Sequence, residues 1–243
     1  MQASNSTKDW FFNIPTITRC YLVILLTLGL TSTMGIYSIG DLSFDLESVI
    51  KHFQFNRLIG NFMFIGRPSL NFFITLMIIL QYMGALEQTP LSCTQGGAGD
   101  KADFVFCLLW GCVLSLISGW CIGLPFCSYI LIDYLVYVWS KKFSDTTFKY
   151  YGIPVTGFYI PYVMMGVSLL MGSSILVNIL GIVTGHIFYF FTQVFETTKN
   201  TRFFSTPLWL RKALSLPTNA PKTAADYSVH YLGGGHVLGT AQE

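Results

Sequence analysis

Residues 174–195 form an apolar run without Asp, Glu, Lys or Arg, containing Gly181-Ile-Val-Thr-Gly185 followed at once by His186. In water a helix this apolar needs burial on every side; in lipid it is an ordinary spanning segment. Gly181 and Gly185, four residues apart, lie on one helix face. With no side chain there, a neighbouring backbone can approach, and dispersion with Cα–H···O contacts replaces the missing hydrophobic drive. The rest of the chain is expected to supply further membrane helices that pack around this face.

Composition supports that expectation. The chain has 243 residues, 52% hydrophobic and only 11% charged, whereas soluble domains carry about 25% charged residues. Mean hydropathy is +0.55. These values indicate a polytopic α-helical membrane protein. A net charge of +2 offers no basis for a nucleic-acid partner. The cysteines (Cys20, Cys93, Cys107, Cys112, Cys121 and Cys127) contain no CxxC pair and no histidine at ligand spacing. No metal site, disulfide framework or cofactor is expected, because cysteines in apolar runs behave as small hydrophobes.

In order, residues 1–19 read as a polar amino-terminal segment with interfacial Trp10, Phe11 and Phe12, residues 20–196 as the membrane domain, and residues 197–243 as a tail. The first span is expected at 20–40, serving as an uncleaved signal anchor. In residues 41–67, Leu46, Val49, Ile50 and Phe53 recur at helical spacing opposite Asp45, Glu47, Lys51 and His52, which reads as an amphipathic segment in the membrane interface. The second span is expected at 68–86 and a loop at 87–101. The apolar stretch 103–140 would measure ~57 Å as one helix against a ~30 Å hydrocarbon core, so it must cross twice. Gly119, Gly123 and Pro125 place the turn between spans at 104–121 and 124–139, and residues 141–149 read as a polar loop. The stretch 152–195 folds back in the same way at Gly172-Ser173-Ser174, which makes six spans. The tail from about Leu216 has a disordered composition. With a cytosolic amino terminus, the 14 basic residues divide as 11 cytosolic and 3 across the membrane (Lys51, Arg57 and Arg67). The positive-inside rule therefore puts both termini in the cytosol and leaves the acceptor Asn5-Ser-Thr7 unglycosylated.

The stretches Ile14-Pro-Thr-Ile-Thr-Arg19, Lys51-His-Phe-Gln-Phe-Asn-Arg-Leu-Ile-Gly-Asn-Phe62, Leu86-Glu87, Ala102-Asp-Phe-Val-Phe106, Tyr137-Val-Trp139 and Leu180-Gly-Ile-Val-Thr-Gly-His186 follow one another along the chain. Together they resemble the derlins, rhomboid-like pseudoproteases of the endoplasmic reticulum membrane. One departure is Asn56-Arg57, where the family usually has Trp-Arg. The resemblance implies an all-α rhomboid-like fold with six transmembrane helices. In the tail, Tyr231, Gly233, Gly235, Leu238 and Gly239 fit aromatic-x-Gly-x-Gly-x-x-Leu-Gly, which resembles the motif by which derlin tails bind the valosin-containing-protein AAA ATPase. Such a peptide can add as a strand to a domain edge, with Tyr231 and Leu238 in pockets.

A rhomboid protease needs a serine on the fourth span within reach of a histidine on the sixth. Counting back from Tyr137-Val-Trp139, Ser128 takes the serine position, but its neighbours are Phe126 and Tyr129 with no flanking glycine. Counting back from Gly181, the histidine position holds Asn178, whose amide has no usable basicity. His186 lies ~12 Å further along the helix and about 80° around it, so it cannot take over. The dyad is absent, and Ser128 reads as a helix-packing hydroxyl. Asp133 is a costly intramembrane carboxylate. It is either functional or satisfied by a polar cavity or a neighbour such as Gln81 or Tyr162. His186 reads as an interhelical hydrogen-bonding group. Arg57 and Arg67 can snorkel to headgroups or thin the bilayer locally.

The resemblance implies a non-proteolytic role in endoplasmic-reticulum-associated degradation, in which misfolded proteins are moved to the cytosol, a ubiquitin ligase complex takes part and the tail recruits the ATPase. It leaves homo- or hetero-oligomerisation open. Asp133, Ser128 and Asn178 are expected to contribute to a hydrophilic cavity in the membrane. The alternatives are an active rhomboid-type intramembrane serine protease and a small channel or transporter. The second is disfavoured by the absence of an internal repeat.

Overall fold

The computed structural model describes residues 5–89, 91, 101–150, 153–172, 174–194 and 206–214. The tail motif (Tyr231, Gly233, Gly235, Leu238 and Gly239) lies outside the described residues. Pro15 separates α1 (Asn5–Asn13) from α2 (Thr16–Thr33), so the first long helix starts four residues before the expected span and stops earlier, ahead of Gly35 at φ +71°. Along α2, Thr27, Thr31, Ser32 and Thr33 each return their hydroxyl to a carbonyl of their own helix. No polar atom of these residues is left bare against lipid.

Instead of one amphipathic helix, residues 39–60 form three short ones: α3 (Ile39–Leu42), α4 (Leu46–Lys51) and α5 (Phe55–Gly60). The periodicity is broken by extended residues at Ser43 and Asp45 and by Phe53, whose φ is +51°. Asp45 caps α4 by accepting from the Glu47 and Ser48 amides at 3.2 and 3.3 Å. The Ser48 hydroxyl, together with these amides, holds its carboxyl below the usual carboxylate range. Ile50 and Phe53 are exposed while Val49 is buried, so the apolar residues do not share one face as the spacing predicts.

Ser69 accepts from the Phe72 amide at 3.2 Å and starts α6 (Leu70–Gln88). Over Ile79–Met83 this helix widens into a π-type turn that carries Tyr82 against Trp139, with ring centroids 4.7 Å apart. Next come α7 (Lys101–Ile122), which ends at Gly123 with φ +74°, and α8 (Ser128–Lys142). The expected polar loop is in part an antiparallel hairpin, β1 (Thr147–Tyr150) with β2 (Ile153–Thr156), in which Thr147 faces Thr156. It is held because buried Phe148 stacks on Trp139 at 4.7 Å. Helix α9 (Ile160–Leu170) stops at Gly172 (φ +80°), where the sequence places the break, and α10 (Ile175–Tyr189) follows. A last short helix, α11 (Leu208–Leu214), comes from the stretch just after the membrane domain.

Helix α8 is the centre of the molecule. Ile130, Leu131, Tyr134, Leu135, Val136, Val138 and Trp139 are all buried along it. The outer helices instead turn apolar stripes outward, Leu109, Val113, Ile117 and Trp120 on α7 and Ile179, Val183 and Ile187 on α10. Apolar side chains inside and outside together require a lipid surround. Among the described residues, four helices are long and apolar enough to cross a membrane: Thr16–Thr33, Leu70–Gln88, Lys101–Ile122 and Ile175–Thr192. The chain is a multi-pass membrane protein. Helices α8 and α9, with 15 and 11 residues, fall short of that length and so differ from the six full spans read from sequence.

Candidate functional site

The most extensive helix pairing among the described residues is α8 with α10. A Cβ at Gly181 would overlap the Asp133 Cβ and lie 3.1 Å from the Ile130 carbonyl oxygen; one at Gly185 would lie 2.8 Å from the Tyr137 Cβ. The two glycines thus bring the α10 backbone onto the ridge made by Asp133 and Tyr137, which are themselves one turn apart. That approach lets the polar residues of α10 reach α8. Asn178 Nδ2 donates to Asp133 Oδ2 at 2.9 Å, and Ser168 Oγ on α9 donates to Asn178 Oδ1 at 3.1 Å. One turn beyond Gly181, Tyr137 Oη and His186 Nδ1 share a hydrogen bond of 2.7 Å.

Asp133 is therefore satisfied by Asn178 and not by Gln81 or Tyr162. The reason is the close backbone approach at Gly181, one turn from Asn178. Beside this pair is a cavity of about 60 Å³, lined by Asn71, Thr75, Tyr129, Asp133, Ser168 and Asn178 together with an equal number of Ile, Met and Val side chains. That volume holds about two water molecules with several partners each. The cavity joins α6, α8, α9 and α10.

Ser128 does not belong to this cavity, contrary to the expectation from sequence. Its hydroxyl donates to the Phe64 carbonyl at 2.7 Å and is fully buried. The loop after α5 packs on the start of α8, so its carbonyls need donors inside the protein. Tyr129 Oη supplies one to Ile65 and Tyr21 Oη one to Phe62, both at 2.8 Å. Buried Asn61 turns its amide to the Arg57 and Leu58 carbonyls and accepts from the Cys127 amide at 3.4 Å. Ser128 is thus a loop tie instead of a helix-packing hydroxyl.

Arg57 is likewise held by protein. Its guanidinium donates to Gln54 Oε1 and the Gly40 carbonyl, each at 2.5 Å, and to the Ser43 carbonyl at 3.3 Å, tying α5 to α3. Arg67, by contrast, is exposed. Arg57→Ala is expected to raise hydrogen exchange across residues 39–61 while leaving α8 unchanged, because three carbonyl or amide oxygens lose a charged donor. Equal exchange in both regions would refute this role.

Two residues of consequence were passed over in the sequence. Glu87, at the end of α6, accepts from the Ile17 amide at 2.9 Å and from the Thr18 amide and hydroxyl at 2.7 and 2.8 Å. Pro15 offers α2 no side-chain cap, so a carboxylate some 70 residues away serves as one. A glutamate closing an apolar span opposite an uncapped Pro-Thr helix start was the available signal. Asp103, in the first turn of α7, accepts from Thr206 Oγ1 at 2.6 Å, which brings the start of the tail back to the membrane domain. No local pattern announces that pairing.

Residues 14–208, which carry all of this geometry, match the Der1-like family. Among similar proteins, Derlin-1 of Arabidopsis thaliana is 30% identical over 216 residues, covering 87% of this chain and 78% of that protein. Derlin-1 of Oryza sativa subsp. japonica is 28% identical over 227 residues, covering 89% and 90%. Derlin-2.2 of Arabidopsis thaliana is 28% identical over 220 residues, covering 86% and 88%. The matched span takes in the loop ties, the Glu87 cap and the glycine-lined contact of α10 with α8, and on that breadth the chain belongs to the Der1-like family.

Proposed function

We propose that this chain is a non-proteolytic, rhomboid-like, six-span derlin of the endoplasmic reticulum membrane, with both termini in the cytosol. It helps move misfolded proteins to the cytosol for degradation, alongside a ubiquitin ligase complex. The observation that supports this most is the use made of the two rhomboid catalytic positions: Ser128 spends its hydroxyl on the Phe64 carbonyl, and Asn178 is bonded between Asp133 and Ser168. Neither side chain is arranged as a base or a nucleophile. A serine-reactive fluorophosphonate is expected to leave the protein unlabelled, and labelling that disappears on Ser128→Ala would establish the rival protease.

The physical task is to lower the barrier that hydrocarbon sets against polar chain. Helices α8 and α9 run only ~22 and ~16 Å against a ~30 Å core, and a bilayer adapts to short apolar segments by thinning. Next to them lies the cavity into which Asp133 and Asn178 bring polar groups among apolar side chains, and these groups are hydrogen-bonding partners for a polar chain. Force comes from elsewhere: the segment Tyr231 to Gly239 recruits the valosin-containing-protein ATPase. A peptide of residues 226–243 is expected to bind the purified ATPase, with binding lost in Gly235→Ala and Leu238→Ala. No binding of the unaltered peptide would remove ATPase recruitment from this reading.

A further inference from the structure

Helix α7 has 22 residues, ~33 Å at 1.5 Å per residue, close to the thickness of the hydrocarbon core. Its first turn therefore sits at one membrane boundary and Trp120, 58% exposed, near the other. Asp103 belongs to that first turn, and Thr206 is bonded to it at 2.6 Å. Helix α11 thus begins at the level of the boundary. The docking is more than one hydrogen bond, because Thr206 and Leu210 are buried to 5% and 6% exposure. Leu214, one turn after Leu210, is half-buried on the same side. The face turned away carries Trp209, 67% exposed, and exposed Lys212 three residues on.

An exposed tryptophan at a membrane boundary, with a lysine one turn along, has the amphipathic composition of a segment that rests in the headgroup layer. The charge around it has the matching sign. Helices α7 and α8 are antiparallel, since Tyr134 bonds the Cys107 carbonyl while Gly119 faces Cys127. The end of α8 with Lys141 and Lys142 therefore lies beside the start of α7 with exposed Lys101. The sequence adds Arg211 next to Lys212. Among the described residues on this side, Asp9 and Asp145 are exposed acids, whereas Asp103 and Glu87 are buried and bonded.

We propose that α11 is a membrane-surface binding element that takes anionic lipid headgroups, latched by Thr206 and Asp103. The proposal rests on α7 crossing the membrane. Each basic side chain near an anionic surface adds attraction that neutral lipid does not supply.

The test uses the full chain in lipid nanodiscs of phosphatidylcholine alone or with phosphatidylserine, doped with lipids brominated high on the acyl chain. The Trp209 signal is taken as the difference from Trp209→Phe, and the Trp120 signal as the difference from Trp120→Phe. Trp209 is expected to be quenched, several-fold more strongly with phosphatidylserine. That gain is expected to vanish in Arg211→Glu with Lys212→Glu, and Thr206→Val is expected to reduce quenching in both lipids by undocking the helix. Trp120 quenched with Trp209 unquenched would overturn the proposal while leaving the span intact. Quenching of Trp209 that ignores lipid charge would overturn it as well. Loss of quenching at both tryptophans would instead sink the placement of α7 in the membrane.

Discussion

Replacing Gly181 with alanine is expected to destabilise the membrane domain by about 1–3 kcal/mol, the usual range for forcing a methyl group into packed space. The new Cβ would meet the Asp133 Cβ, with the Ile130 carbonyl oxygen at 3.1 Å and the Asp133 carbonyl carbon at 3.3 Å. None of these is the far end of a flexible side chain, so α10 must move away from α8. Moving it also lengthens the Asn178 bond to Asp133 and leaves an intramembrane carboxylate short of a donor, a second cost on top of the steric one. Gly181→Leu is expected to yield no folded protein. Gly166 is the control, because nothing lies within 4 Å of a Cβ built there. Thermal unfolding in detergent should separate the two alanine variants clearly, and equal melting temperatures would refute the close contact.

Glu87→Ala is expected to cost about 2 kcal/mol or more. It leaves the Ile17 and Thr18 amides and the Thr18 hydroxyl without their acceptor at a buried helix start, and an unsatisfied buried group costs about 1–3 kcal/mol. The loss includes a negative charge at the positive end of the α2 dipole. Glu87→Gln separates the two contributions, since it keeps one acceptor oxygen but turns an NH₂ towards amides that are themselves donors. Both variants are expected to lower the melting temperature, Ala more than Gln, with faster exchange at Ile17 and Thr18. An unchanged melting temperature in Glu87→Ala would show that α2 is held without this cap.

These two sites differ in how far the sequence revealed them. The pair Gly181 and Gly185 was legible because both residues lie on one helix, where a four-residue spacing defines a face, although the sequence did not name Asp133 and Tyr137 as its partners. Glu87 was legible only as the first residue of the loop after the second span and as part of the Leu86-Glu87 stretch. Its meaning lies in α2, and no periodicity connects positions 17 and 87.

What the sequence determined by itself is what depends on local spacing and transfer energy: apolar runs too long for single crossings and breaks at Gly123 and Gly172. Tertiary structure decided the rest. It cut the first loop into three short helices, took Ser128 out of the cavity and onto the Phe64 carbonyl, gave Asp133 to Asn178, and brought Thr206 back to Asp103. The last three are each the satisfaction of a buried polar group by a partner distant in the chain. A buried donor or acceptor must find a partner, but which one it finds depends on which backbones approach closely enough, and only the packed helices fix that.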